Sequence, residues 1–183
     1  MKNLLHIMKL ALTLLAITSF VALALAGVNA LTKKPIADQK AEKLQKAIVQ
    51  VLPGGGEKLD EADYTDETGL VSAVYAGENG YAVEVLPVGF NGEITLMVGI
   101  DHEGKVLGIS VVSQAETAGL GAVIADGGEK GQSFRNQFAG MEGLLAVKKD
   151  GGEVEAVSGA TISSRAVVKG VNAALDCVKS IIG

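Results

Sequence analysis

A long uncharged segment near the start of the chain limits what the chain can fold into. No charged residue occurs between Lys9 and Lys33, and residues 10–32 are mostly Leu, Ala, Ile, Val and Thr. About 20 apolar residues in a helix cross the hydrocarbon core of a bilayer, so this segment is long enough. A cleaved signal peptide is the alternative, with Val28-Asn29-Ala30 as its cleavage site, but its apolar stretch is usually only ~7–15 residues long. The sequence therefore predicts an N-terminal transmembrane anchor over residues 1–34.

The lysines around this segment do not determine its orientation. Two of them precede it and three follow it closely: Lys2, Lys9, Lys33, Lys34 and Lys40. An excess of basic residues on one side would identify the cytoplasmic end, and here the two ends are nearly balanced. The orientation must therefore come from other information.

The charged residues and the cysteine argue against several functions. The formal net charge is −5, and the chain after the anchor has no cluster of Lys and Arg that could neutralise nucleic-acid phosphates. The single Cys177 cannot form an internal disulfide, and His6 and His102 are far apart, so no metal site is predicted.

The periodicity of apolar residues predicts an α+β domain over residues 35–183. A connector helix with no chemistry of its own is predicted over residues 36–52, directly after Pro35. Strands follow at 71–75, 81–86, 94–100 and 105–112, and the last two are joined in a hairpin by a turn that ends at Gly104. Phe134 and Phe138 predict a short helix. A second hairpin is predicted from segments 145–148 and 153–157, and a closing helix from about 164 to 182. Strands in the middle with helices on either side indicate a mainly antiparallel sheet with flanking helices.

A run of small residues joins the predicted segment 153–157 to the closing helix. It reads Ser158-Gly159-Ala160-Thr161-Ile162-Ser163-Ser164-Arg165. Its small residues leave the backbone open to a ligand, and its four hydroxyl groups can bond a phosphate. A helix start offers unpaired N–H groups and the positive end of the helix dipole, and Arg165 adds a charge. From these residues alone two interpretations remain open: an anion site, or an ordinary helix start in which Ser163 or Ser164 is the N-cap.

Two short motifs resemble those of the FMN-binding domain family. Ser158-Gly159-Ala160-Thr161, followed by Ile-Ser-Ser, is similar to the family's flavinylation motif. A second segment is similar to the family's Glu-Thr-Pro-Gly-Leu-Gly loop and reads Glu116-Thr117-Ala118-Gly119-Leu120-Gly121. Here Ala118 replaces the usual Pro, which predicts a less rigid loop. The N-terminal membrane helix and the hairpin that leads into the loop over residues 92–121 follow the family's order. Within the family the sequence is most similar to the G subunit of Rnf-type complexes.

The resemblance implies a cofactor, its attachment point and a cellular role. A flavin transferase would attach FMN to Thr161 through a phosphoester, and the other residues of the two motifs would contact it. Leu120 would offer an apolar surface, Thr117 or a backbone N–H would reach the polar edge of the ring, and Glu116 would be either solvated or a modifier of the flavin potential. The protein would be a non-autonomous redox subunit among other membrane subunits. Their complex would pass electrons between ferredoxin and NAD, coupled to Na⁺ or H⁺ movement. The soluble domain would lie on the extracytoplasmic side of the cytoplasmic membrane.

Alternative functions remain open at this point. The C subunit of the Na⁺-translocating NADH:quinone reductase is homologous but longer. A membrane-anchored module could instead bind a phosphorylated ligand noncovalently, with no redox role. An accessory protein could only stabilise its membrane neighbours through the anchor and residues 36–52.

Overall fold

The computed structural model describes residues 2–183, with side chains from His6 onward, and separates two compact units. The first unit ends at Glu42 and the second is Lys43–Gly183. Helix α1, Lys2–Val51, runs through both, so the prediction of a separate helix after Pro35 is wrong. A proline inside a helix removes one backbone hydrogen bond, but the Leu-, Ala- and Lys-rich sequence on both sides favours helix strongly enough to continue.

The first unit consists of helix with exposed side chains. Every described side chain from residue 6 to residue 42 is exposed, although most of them up to Thr32 are apolar. The segment His6–Val51 is long and apolar enough to cross a membrane. This is the arrangement expected of an anchor that is covered by lipid.

The second unit combines a five-stranded sheet with two further helices, as the α+β prediction requires. The helices are α2, Glu129–Asn136, and α3, Thr161–Ile182. The strands are β1 Glu57–Lys58, β2 Val71–Gly77, β3 Gly80–Val85, β4 Thr95–Ile100 and β5 Val106–Ser113. They form an antiparallel meander in the order β1-β2-β3-β4-β5. The predicted hairpin between β4 and β5 is confirmed, and Gly104 in its turn has a φ of 83°.

The sheet is buried between two helical elements. One face packs against α3 and forms the larger core, in which Val83, Leu96 and Val98 meet Val171 and Leu175. The opposite face is covered by the last turns of α1 and the residue after it, through a smaller cluster: Ala47, Ile48, Val51, Leu52, Ala82 and Met97. The connector helix therefore contributes its C-terminal end to the core, whereas Ala37 and Ala41 near its predicted start are exposed.

A glycine in β4 allows α1 to lie directly on the sheet. A Cβ atom at Gly99 would stand 2.2 Å from the carbonyl oxygen of Val51. No side chain can occupy that space unless the helix end moves away. The hydroxyl of Ser110 on β5 also donates a hydrogen bond to Gln50 Oε1 at 2.8 Å, which holds the same helix end from the side.

The predicted second hairpin does not form. Segments 145–148 and 153–157 share one isolated bridge, Val147–Val154, and that bridge is parallel. Both backbone groups of Leu145 are bonded to the side-chain amide of Asn172 on α3, at 2.9 and 2.8 Å. Those of Glu155 are bonded to the side-chain amide of Gln137, at 2.7 and 3.1 Å. Side chains thus take the hydrogen bonds that a strand partner would have made.

The short helix around the two phenylalanines is only partly as predicted. Phe134 lies in α2, whereas Phe138 follows two residues after the helix has ended. Their rings still meet edge to face with centroids 5.5 Å apart, and both are buried in the larger core. The pair fixes the segment between β5 and α3 onto the sheet.

Candidate functional site

A cavity of about 400 Å³ opens where the start of α3 meets the loop after β5 and the connection between β3 and β4. Its volume falls within the range of small-molecule sites. Eight of the predicted site residues line it: Glu116, Thr117, Leu120, Gly121, Gly159, Ala160, Thr161 and Ser163. Ser158, Gly119 and Ser164, which were also predicted, do not line it. The two motifs, about 40 positions apart in the sequence, therefore meet in one place.

Helix α3 begins earlier than predicted, and Thr161 is its first residue. Ala160 is the N-cap, so the interpretation with Ser163 or Ser164 as N-cap is wrong. Alanine has no side-chain acceptor for the N–H groups of the first turn, and the first helical backbone bond runs from Ser164 N–H to the Ala160 carbonyl at 2.9 Å. The N–H groups of residues 161–163 therefore remain at a helix start that borders the cavity, where an anion is favoured.

The hydroxyls of Ser163 and Ser164 stabilise the helix start from within. Ser164 is fully buried; its Oγ donates to the Ala160 carbonyl at 2.9 Å and accepts from Val157 N–H at 3.0 Å. Ser163 donates to the carboxylate of Glu116. Among the hydroxyls of this motif, that of Thr161 is the one that lines the cavity without such an internal role. Gly159, with a φ of 77°, makes the turn that leads into it.

Glu116 connects three walls of the cavity. Its side chain is only 8% exposed, so the expectation of a solvated carboxylate is wrong. One oxygen accepts from Asn91 N–H at 2.9 Å in the β3–β4 connection, and the other accepts from Ser163 on α3. A Cβ atom at Gly121 would stand 2.5 Å from this carboxylate, so the glycine is needed for the close contact. Glu116 is a buried clamp that holds the cavity in shape.

The loop after β5 turns tightly in spite of the alanine in place of proline. Leu120 N–H donates to the Thr117 carbonyl at 3.1 Å, and Gly119 between them has a φ of 75°. A positive φ at the third residue is the requirement of a type II turn, in which proline commonly takes the second place. Ala118 occupies that second place, and the turn closes around it. The side chain of Leu120, 47% exposed, lies at the cavity.

The charges at the helix start differ from expectation. The guanidinium of Arg165 forms two hydrogen bonds with the carboxylate of Asp150, at 2.7 and 2.6 Å. The hydrogen bond from Arg165 lowers the pKa of Asp150, and Asp150 raises the pKa of Arg165. The positive charge that the sequence placed near the helix start is therefore paired with a carboxylate. Lys149 lies nearer to Thr161: its Nζ donates a hydrogen bond to Thr161 Oγ1 at 3.3 Å.

Three lining residues were missed from the sequence: Phe90, Lys149 and Ile162. Phe90 and Ile162 are 66% and 50% exposed, so both offer apolar surface at the cavity. Ile162 stood inside the recognised motif, and Phe90 is the aromatic residue of the connection between β3 and β4, so both carried a signal. Lys149 carried none, because it was assigned to a hairpin that does not form.

Two family models and several known proteins match this chain. The FMN-binding domain model matches residues 89–176, and the RnfG N-terminal region model matches residues 1–51. The G subunit of an ion-translocating oxidoreductase complex from Photorhabdus laumondii is 38% identical, over 80% of this chain and 78% of the relative. The protein of the same name from Methanosarcina acetivorans is 32% identical over 96% of both chains. The G subunit of a proton-translocating ferredoxin:NAD(+) oxidoreductase complex from Clostridium ljungdahlii is 32% identical, over 92% of this chain and 90% of the relative.

The fold, the cavity and these matches define a membrane-anchored protein with an FMN-binding domain. The predicted resemblance is confirmed along most of the chain. The chain belongs to the RnfG family, the G subunits of Rnf-type ion-translocating oxidoreductase complexes.

Proposed function

We propose that this protein carries FMN covalently on Thr161 and passes electrons within an Rnf-type ferredoxin:NAD oxidoreductase that moves Na⁺ or H⁺ across the membrane. Its partners are the other membrane subunits of that complex and, during maturation, a flavin transferase. The names of the relatives describe ion-translocating complexes, and one of them a ferredoxin:NAD(+) oxidoreductase complex. The soluble domain is proposed to lie on the extracytoplasmic side.

The observation that carries the proposal is the position of the Thr161 hydroxyl. It lies in a cavity of the size of a cofactor site, at the first residue of a helix whose N–H groups favour an anion. A phosphoester retains one negative charge, which the helix start and the Lys149 ammonium would offset. The site therefore supplies a nucleophilic oxygen, an anion-binding helix end and a cation together.

The other walls fit the flavin part of FMN. Phe90, Leu120 and Ile162 give the cavity exposed apolar surface, which a flat aromatic ring would cover. Thr117 adds a hydroxyl, which accepts from Asn91 Nδ2 at 3.0 Å. Glu116 and Ser163 hold these walls at fixed positions. When bound, FMN supplies the redox chemistry, while the protein binds, orients and shields it.

Intact mass of the full-length protein tests the attachment. The protein is produced in its own membrane with a flavin transferase, then purified and denatured so that noncovalent ligands are lost. We expect a mass increase equal to one FMN less one water, and a fluorescent band after denaturing electrophoresis. Thr161→Ala should lose both signals with the fold intact, because the side chain is small and lies at a helix start.

Two control variants make the test specific for the residue. Thr117→Ala removes another hydroxyl from the same cavity and should keep the added mass. Thr161→Ser keeps a hydroxyl at the attachment position and should keep at least part of it. A matured wild-type protein with the mass of the bare polypeptide would refute the proposal, and a Thr161→Ala protein that still carries flavin would refute the attachment point.

The proposed orientation has a separate test. Protease added to intact cells, after the outer layers are opened, should digest the second unit, Lys43–Gly183. A domain that is cut only after the cytoplasmic membrane is broken would place it on the cytoplasmic side.

A further inference from the structure

Lys148, Lys149 and Arg165 lie near the start of α3, but only one of them faces the cavity. Lys148 pairs with Glu155, Nζ to Oε2 at 3.1 Å. Arg165 is held by Asp150 in a two-bond pair. Among the described residues, Lys149 forms no ion pair, and its ammonium donates a hydrogen bond to Thr161 Oγ1 at 3.3 Å. The structure thus leaves one cation available at the proposed attachment oxygen.

The backbone determines which of these three cations faces the cavity. Residues Lys148–Asp150 form a single 3₁₀ turn, so three consecutive side chains point in three directions. Lys148 N–H bonds the Val154 carbonyl at 2.8 Å, and Asp150 N–H bonds the Val147 carbonyl at 2.8 Å. The turn is held from both sides, which keeps Lys149 toward the cavity that it lines.

We propose that Lys149 is the positioning residue for the flavin phosphate: it draws the phosphate to Thr161 before attachment and neutralises the phosphodiester afterwards. This role rests on the proposed function, and it falls to Lys149 rather than to Arg165, whose guanidinium is bonded to Asp150. The position of the ammonium next to the reacting oxygen would raise the local concentration of an anionic flavin nucleotide. The same ammonium would then remain within hydrogen-bonding reach of the ester.

The attachment step balances with a flavin dinucleotide as donor. The bond between Thr161 Oγ and the flavin phosphorus forms as the phosphoanhydride bond to adenylate breaks. The hydroxyl proton leaves with the adenylate, and nothing is oxidised or reduced. Lys149 makes and breaks no covalent bond in this step, and its contribution is electrostatic.

The rate of flavin attachment to the full-length protein in detergent tests this role. Purified protein is mixed with flavin transferase and a flavin dinucleotide, and the fraction with added mass is followed over time. We expect Lys149→Ala to react roughly fivefold slower and Lys149→Glu roughly 25-fold slower, the range for one exposed charge contact removed or reversed. Lys149→Arg should remain within about twofold of wild type, and added salt should lower the wild-type rate toward that of Lys149→Ala.

Lys148→Ala is the matched control, because it removes a neighbouring cation of the same turn that is also exposed but is paired with Glu155. Its rate should stay within about twofold of wild type. In the mature proteins, the phosphorus-31 resonance of the attached flavin should shift in Lys149→Ala and stay in place in Lys148→Ala. All variants should melt like wild type, since these side chains are exposed.

Two results would overturn the inference while leaving the proposed function intact. One is a Lys149→Ala or Lys149→Glu protein that is flavinylated at the wild-type rate. The other is a Lys148→Ala protein that slows as much as Lys149→Ala, which would show a general effect of charge. A wild-type protein that gains no mass would instead overturn the covalent attachment itself, and the role of Lys149 with it.

Discussion

Replacing Glu116 should destabilise the domain far more than replacing another glutamate nearby. In Glu116→Ala, Asn91 N–H and the Ser163 hydroxyl lose an acceptor at a position that is 8% exposed. Each hydrogen bond to a charged group contributes roughly 1.5–3 kcal/mol to stability. Part of that loss is offset because the substitution also removes a buried charge. We therefore expect a loss of about 2–4 kcal/mol. For a domain of this size that corresponds to a decrease in Tm of roughly 6–12 °C.

Thermal unfolding of the full-length protein in detergent, followed by circular dichroism, measures this loss. Glu155→Ala is the control, because that carboxylate is exposed and its pair with Lys148 should contribute under about 1 kcal/mol. A double-mutant cycle with Ser163→Ala should show coupling of about 0.5–3 kcal/mol, since the two side chains share one hydrogen bond. If Glu116→Ala melts within about 2 °C of Glu155→Ala, the Glu116 clamp does not hold the cavity together.

Three further predictions concern other parts of the second unit. Burial raises the pKa of Asp66, but hydrogen bonds from Thr68 and neighbouring N–H groups outweigh this effect, so the pKa is lowered overall. The ionised carboxylate therefore stabilises the fold at a pH above its unfolded pKa of about 3.9. That stability should disappear as the pH falls through the lower folded pKa, and Asp66→Asn should flatten the dependence of Tm on pH below about pH 4. Burial, and to a lesser extent the charge of Asp66, raises the pKa of Cys177 to about 11. A thiol reagent at pH 8 should therefore label the folded protein roughly 100-fold more slowly than the urea-unfolded protein, and equal rates would contradict the burial. Gly99→Ala should lower Tm because its Cβ would meet the Val51 carbonyl oxygen at 2.2 Å, whereas Gly108→Ala, with no atom within 4 Å of the new Cβ, should not; equal melting would refute the close helix contact.

Local patterns in the sequence predicted four strands of the sheet and the closing helix. The apolar runs and alternation of strands β2 to β5 and the helical periodicity of α3 are visible in the sequence, because each of these elements buries apolar side chains in the core. The hairpin turn at Gly104 likewise follows from its own residues. The meeting of the two motifs in one cavity followed from the family resemblance rather than from spacing.

Features that depend on distant side chains could not be predicted in this way. Asn172 and Gln137 bond the backbone of segments that looked like strands, and nothing within those segments reveals it. The 3₁₀ turn that results brings Lys149 to Thr161, while Asp150 captures Arg165. Predicting which cation lies at Thr161 therefore required the positions of residues 12 to 15 places apart.

The contact between Val51 and Gly99 limits how far the chain can be truncated when its membrane segment is removed. Truncation at the first strand would strip one side of the sheet of Ala47, Ile48, Val51 and Leu52 and leave Ala82 and Met97 facing water. Such a fragment should aggregate when expressed. A version that starts near Lys43 keeps these four residues and with them the native cover of the sheet.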